Sequence, residues 1–277
     1  MEKKTGNNPI YKGISIIILV ILAILFIFPI YWILTGSLKT AADINRAVPQ
    51  WFPTNITLDN YIRLFKNPAF QWLFNSVFIS IVAMILTCIT AAMAGYVLAK
   101  KRFPGRTIIF GLLVCAMALP KQVILIPLLK EMSFLHLHNT LWAVILPTIG
   151  WPFGVFLMKQ FSENIPTEML EAAKIDGAGE IKTFTSVVFP IVKPGIGALA
   201  IFTFIGSWND YFMQLIMLNS RDKLTISLGI AKLQSEMSSD FGLIMAGAAL
   251  AAIPIITIFL MFQKYFTQGI TMGAVKG

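Results

Sequence analysis

Charge is scarce in this sequence. Only 13% of its 277 residues are Asp, Glu, Lys or Arg, while 57% are hydrophobic and the mean hydropathy is +0.76. Soluble domains carry about 25% charged residues, so a chain this poor in charge cannot dress a water-facing surface. Cysteine and histidine are almost missing, with two of each. Cys88 and Cys115 fall inside apolar runs and read as small hydrophobic residues, neither a disulfide nor a metal pair. His136 and His138 alternate in "FLHLHNT" without a third ligand and read as turn residues. No G-x-x-x-x-G-K-[ST] phosphate loop occurs, and the apolar runs contain no metal motif, nucleophile elbow or paired carboxylates. The chain is therefore expected to bind no cofactor or metal of its own and to have no catalytic residues.

What the sequence does have is long apolar runs, about 20 residues being the length that crosses a bilayer. The first is "ISIIILVILAILFIFPIYWIL", Ile14 to Leu34, behind Lys3, Lys4 and Lys12. It is too long for the apolar core of a cleaved leader, and no A-x-A-like site follows it. Further runs lie at 73–99, 108–129, 141–158, 195–218 and 243–265. The expectation is an all-α polytopic membrane protein of six transmembrane helices. A terminus of 1–13, a membrane domain of 14–265 containing a polar loop at 159–194, and a small, flexible tail of 266–277 complete the division.

The net charge of +9 raises the question of nucleic acid, and its distribution answers it. With the N-terminus inside, the inner segments carry thirteen basic residues and the outer loops eight, with Lys121 falling within a span. That asymmetry follows the positive-inside rule, and "AKKRFPGR" alone places the second turn in the cytoplasm. The cluster also suits an anionic lipid leaflet. A multi-pass protein of the plasma membrane with both termini cytoplasmic is expected, with lipid and not nucleic acid as its surroundings.

Prolines mark where the spans are irregular. Pro120 sits near the centre of the third run and Pro127 near its end, and an interior proline frees carbonyls and bends a helix. With Lys121 beside it, this is either a water-lined site or a kinked packing helix with a snorkelling lysine. Outside, "VPQWFPTNITLDNYIRLF" is broken by Pro49 and Pro53, and "TLDNYIRLF" starts a short amphipathic helix. Asn55-Ile56-Thr57 matches a glycosylation acceptor only formally.

The inner loop "KQFSENIPTEMLEAAKIDGAGEIKTFTSVVFPIVKPGIG" is the main polar interruption. Pro166 suits a first helical turn, and Glu168 and Glu171 lie where a helix dipole favours acid. Ile165, Met169, Ala172, Ala173 and Asp176 recur at helical steps, and Gly177 and Gly179 release the helix. The spacing predicts one helix from Pro166 to Asp176 and a second from Glu180 to Phe189 that buries Ile181, Phe184 and Val188. Two readings of the first helix stand: an amphipathic segment in the membrane interface, or a narrow knob that fits a groove on another protein. Its alanines favour the knob.

In the fifth run, Trp208, Asn209, Asp210, Tyr211 and Gln214 lie beyond the midpoint. Asp210 falls about 22 Å along a continuous helix from Gly195. An acid at that depth marks a functional site by default, and this residue set offers the stacking and hydrogen bonds that sugars need. The alternatives are packing against a partner membrane chain or an interfacial anchor. Trp151, after "TIG", is a further candidate for the same pathway.

"EAAKIDGAGEIKTFTSVVFPIVKPGI" resembles the EAA loop of membrane subunits from binding-protein-dependent ABC importers, with Glu171, Ala172, Ala173, Gly177, Phe189 and Pro190 at its positions. "WFPTNITLDNYIRLF", "WPFGVFLMKQF", "SWNDYF" and the ending "GAVKG" are similar to carbohydrate permeases of the maltose and multiple-sugar type. The resemblance implies that the loop is a coupling helix, with Glu168, Glu171, Ala172, Ala173, Asp176 and Gly177 meeting a cytoplasmic ATPase. It implies half of a sugar pathway completed by a second, homologous permease. It also implies two ATPase subunits that hold the ATP and Mg, and an extracellular solute-binding protein that delivers the carbohydrate. The tail resembles family tails that lie against the ATPase. A secondary transporter driven by an ion gradient is the other class; Asp210 is the one clear acid within the runs and no half-repeat is visible.

Overall fold

The computed structural model describes residues 9–236 and 240–274, with side chains to residue 263. Lys3, Lys4 and the closing Val275, Lys276 and Gly277 lie outside the described residues. Every regular element among the described residues is helical. Five helices are long and apolar enough to cross a membrane, and a bent pair makes six when it is counted as one span. The six-span expectation therefore stands. The chain divides into two compact units, residues 1–69 with 230–252, and 70–229 with 253–277.

The first unit is built on α1 (Pro9–Ser37), α2 (Ala41–Ile44) and α3 (Asp59–Phe65). α1 is exposed over most of its length and gains neighbours only at its last turns. There the outer loop folds back: Trp51 packs on Phe28 and Trp32, Phe52 packs edge-on to Tyr31, and the Tyr31 hydroxyl donates to the Trp51 carbonyl. Lys39 lies 4.6 Å from the Trp32 ring centre and donates to the Gln50 carbonyl. Asn60 ties α3 to the end of α1, its amide donating to the carbonyls of Ser37 and Lys39 at 2.9 and 2.8 Å. Arg63 reaches Asp240, just ahead of the last helix.

The second unit holds the polar loops of interest. It begins with α4 (Ala69–Lys100), then α5 (Arg106–Met117) and α6 (Lys121–Phe134), α7 (Trp142–Ile149) and α8 (Pro152–Glu163). Next come α9 (Thr167–Ile175), α10 (Glu180–Thr183), a π turn (Phe184–Val188), α11 (Phe189–Trp208) and α12 (Tyr211–Met217). α13 (Ile226–Glu236) and α14 (Phe241–Ala274) run from one unit into the other. α8 packs between α5 and α11, and α12 packs on α6 and α7. Small residues set the α4–α8 approach. A Cβ on Gly95 would stand 2.6 Å from the Lys159 backbone nitrogen, and one on Gly154 would meet the Ala91 methyl at 3.1 Å.

Three spans differ from the sequence expectation. The third is not a kinked rod: α5 and α6 meet at 108°. The break falls where Pro120 is extended at ψ 132°, so Lys121 opens a new helix. The fourth is interrupted at Gly150–Trp151. The fifth begins earlier than 195 and ends earlier than 218, since helix runs unbroken from Glu180 to Trp208 and stops. Pro190 does not interrupt it because it follows a widened turn, in which the Phe189 N–H donates five residues back to the Phe184 carbonyl. Of the three residues predicted to be buried, Val188 is buried and Phe184 half-buried, but Ile181 is 80% exposed, and Thr183 faces inward in its place. At the other end, α14 continues through Ala274, so helix occupies most of the segment expected to be a flexible tail.

Candidate coupling loop and membrane cavity

The inner loop forms a short projecting helix held from behind. α9 has nine residues, about 13 Å at 1.5 Å per residue, bracketed by Pro166 and Asp176. Its Leu170 is buried, joining Ile165, Met158, Val188, Val192 and Tyr96 in one apolar cluster. Glu168, Glu171, Ala172 and Asp176 are exposed and Ala173 is half-buried. Met169 and Ile175 are also exposed, Ile175 to 86%. So α9 buries one leucine and presents a face of acid, alanine and isoleucine outward.

Gly177 ends α9 with a φ of +73°. The Gly177 N–H donates to Lys174 and the Ala178 N–H to Ala173, which together satisfy the last carbonyls in a Schellman cap. A Cβ at this glycine would meet nothing within 4 Å. The requirement for glycine is conformational, and the space beside it is open.

Two lysines of the preceding inner turn secure this loop. Lys100 donates to the carbonyls of Glu163 and Ile165 at 3.0 and 2.6 Å, capping the end of α8. Lys101 pairs with Glu180 at 2.5 Å and lies 5.4 Å from the Tyr96 ring centre. Burial works against the Lys101 charge, yet its contacts with Glu180 and Tyr96 outweigh that and hold the ammonium above the ordinary lysine range. The sequence marks these residues only as a basic cluster. Nothing in their spacing shows that they reach 63 to 79 positions along the chain.

The breaks in the third, fourth and fifth spans converge. Lys121, Trp151 and Asp210 stand at them and line one cavity of about 310 Å³. Lys121 Nζ is 3.6 Å from Asp210 and 4.6 Å from the centre of the Trp151 ring. Asp210 does not lie along a continuous helix. It is the N-cap of α12, accepting from the Met213 N–H at 3.3 Å. α5 and α8 each span 12 residues between the breaks and the inner side, about 18 Å of helix. A hydrocarbon core is about 30 Å thick, so those breaks fall near its middle.

The other residues singled out in the fifth run lie elsewhere. Trp208 is buried and stacks on Phe204 at 5.7 Å. Gln214 is buried too, donating to the Ser207 carbonyl and accepting from the Thr225 hydroxyl. Asn209 is exposed with its amide on the Ile205 carbonyl, and the half-buried Tyr211 packs on Phe212. Asp210 and Trp151 are thus brought together; Trp208 and Gln214 are placed in packing. Lys121 belongs with the pair, and Pro120 beside it was the sequence signal.

An oily multi-span chain with helices broken around a cavity that holds a charged pair, and a tethered helix projecting beside the basic turn, defines a membrane transport subunit. The chain belongs to the family described as "Binding-protein-dependent transport system inner membrane component", whose model matches residues 91–272. It is 36% identical to the arabinooligosaccharides transport system permease protein AraQ of Bacillus subtilis (strain 168), over 100% of both chains. It is 32% identical to the trehalose transport system permease protein SugB of Mycobacterium tuberculosis, covering 91% of this chain and 93% of that one. Its fold is similar to a chain of a bacterial ABC transporter that imports the polysaccharide alginate, with TM-score 0.84, 21% identity and coverage of 96% and 100%. The family suggested by the EAA segment is therefore the family found.

Proposed function

We propose that this chain forms half of the translocation pathway of an ATP-driven carbohydrate importer, with an oligosaccharide as substrate. The observation that carries the sugar assignment is end-to-end similarity to permeases named for arabinooligosaccharides. A second, homologous permease completes the pathway, and an extracellular binding protein delivers the sugar. Two cytoplasmic ATPase chains hold the ATP and Mg, while this chain holds neither. α9 is the coupling helix, with Glu168, Glu171, Ala172, Ala173, Asp176 and Gly177 at the ATPase contact. Trp151 and Asp210 line the sugar's route; Trp208, Asn209, Tyr211 and Gln214 shape the segment that carries Asp210. Both termini are cytoplasmic, in the plasma membrane.

Physically, the coupling assignment rests on a projecting helix tied to the membrane helices by Leu170, Lys100 and Lys101. A push on α9 is passed to α8 and α11 instead of being lost in a floppy loop. In proteoliposomes containing the four-chain assembly and its binding protein, uptake of arabinotriose should require ATP, stop with vanadate and survive a proton ionophore. Uptake that followed the proton gradient and ignored vanadate would make this an ion-driven carrier, a reading that none of the relatives above favours.

A further inference from the structure

The cavity at the three breaks is mainly apolar, and among the described residues Lys121 and Asp210 are the only ionisable ones that line it. An ammonium on the first residue of α6 opposes that helix's own dipole, whose N-terminal end is positive. Asp210 is set opposite it by the cap of α12. At 3.6 Å their separation exceeds the roughly 2.7–2.9 Å of a charge-assisted hydrogen bond, and the ammonium also lies over the face of Trp151. Lys121 therefore occupies the indole face without being locked there, and a short movement would place it fully on Asp210.

We infer that Lys121 and Asp210 form a neutral, displaceable cover on Trp151 that admits uncharged sugar rings and turns away anionic ones. The inference rests on the carbohydrate reading above and adds a substrate class to it. A neutral ring has an apolar C–H face that takes the indole as Lys121 withdraws to Asp210, and its hydroxyls find both charged groups as partners. A uronate finds no net positive charge to offset its desolvation near the middle of the bilayer, and Asp210 repels it. The cavity volume of about 310 Å³ lies at the small end of the usual range for small-molecule sites, about 300–1,000 Å³.

The test compares arabinotriose and trigalacturonate binding to the assembled transporter in nanodiscs, without binding protein, by saturation-transfer NMR. The unaltered protein should prefer the neutral probe. Asp210→Asn leaves the ammonium unopposed and should shift the ratio toward trigalacturonate at least tenfold. Adding Lys121→Met to that variant removes the cation and should reverse the shift, while keeping the pair free of buried charge should one single variant fail to assemble. Trp151→Ala should lose arabinotriose binding at least tenfold. A ratio that stays within twofold in both Asp210→Asn and the double variant overturns the cover. Absence of sugar-stimulated ATP turnover by the unaltered assembly, once its binding protein is added back, would instead overturn the carbohydrate reading, so the two failures are told apart.

Discussion

Gly177 shows how one residue can be required for its backbone and still matter for its surface. Its φ of +73° lies where an L side chain costs about 1–2 kcal/mol, least for Asn. Yet, chain neighbours aside, no atom of the described residues stands within 4 Å of the missing Cβ. Substitution should therefore leave the protein folded, and size should matter only to whatever docks beside α9. Gly177→Asn should keep most of the coupled ATP turnover. Gly177→Trp should reach the membrane at normal levels but lose co-purification of the ATPase and transport. A Trp variant that transports normally with its ATPase bound would remove α9 from the contact. This glycine was legible in the sequence because the helix pattern before it simply stops. Ile181 was not legible as an exposed residue, because the period on which its burial was predicted is broken three residues later by the π turn.

Among the elements, prolines were the visible marks and tertiary packing decided what each one did. The same loss of an N–H breaks the chain at Pro120, opens a helix at Pro152, and is absorbed at Pro190 and Pro194. Sequence can locate such points, but whether the freed carbonyls find other partners depends on residues far away. That limit explains why the fifth span was drawn too far and Asp210 placed on a rod. The tethers of the coupling loop escaped for a related reason. Lysine clusters beside lipid have a sufficient topological explanation, so their reach to α8 and α10 had no local sign. The two lysines should differ in weight. Lys101 and Glu180 form a part-exposed pair, which is worth about 0.2–1 kcal/mol. Lys100 donates charge-assisted hydrogen bonds to two carbonyls at a helix end, the one to Ile165 part-buried, and a bond of that kind is worth about 1.5–3 kcal/mol. In detergent unfolding measurements, Lys100→Met should destabilise by about that amount and Lys101→Met by less than about 1 kcal/mol. Equal losses would show that the α8 cap is not the stronger tether.

At the scale of the whole molecule, the contacts settle which loops share a side, and charge supports the proposal of which side that is. Lys100 and Lys101 bond to the loop that follows α8 and to Glu180, so the turn at 101–105 and the loop at 164–179 face the same compartment. At the opposite end of α4, Trp72 and Asn75 donate to the carbonyls of Arg221, Asp222 and Leu224, which assigns that loop to the other compartment. None of this depends on counting basic residues. The excess of Lys and Arg is the ground for our proposal that the first face is cytoplasmic, where an ATP-hydrolysing partner would have to meet α9. Cysteine labelling tests the two steps separately. With Cys88 and Cys115 replaced by alanine, an impermeant maleimide on intact cells should label Asp222→Cys. It should reach Pro104→Cys and Asp176→Cys only after permeabilisation. If Pro104 and Asp176 were to report opposite sides, the packing of the inner loops would be wrong. If both labelled from outside, the fold would survive, but the handle would point away from any source of ATP and the importer assignment would fall.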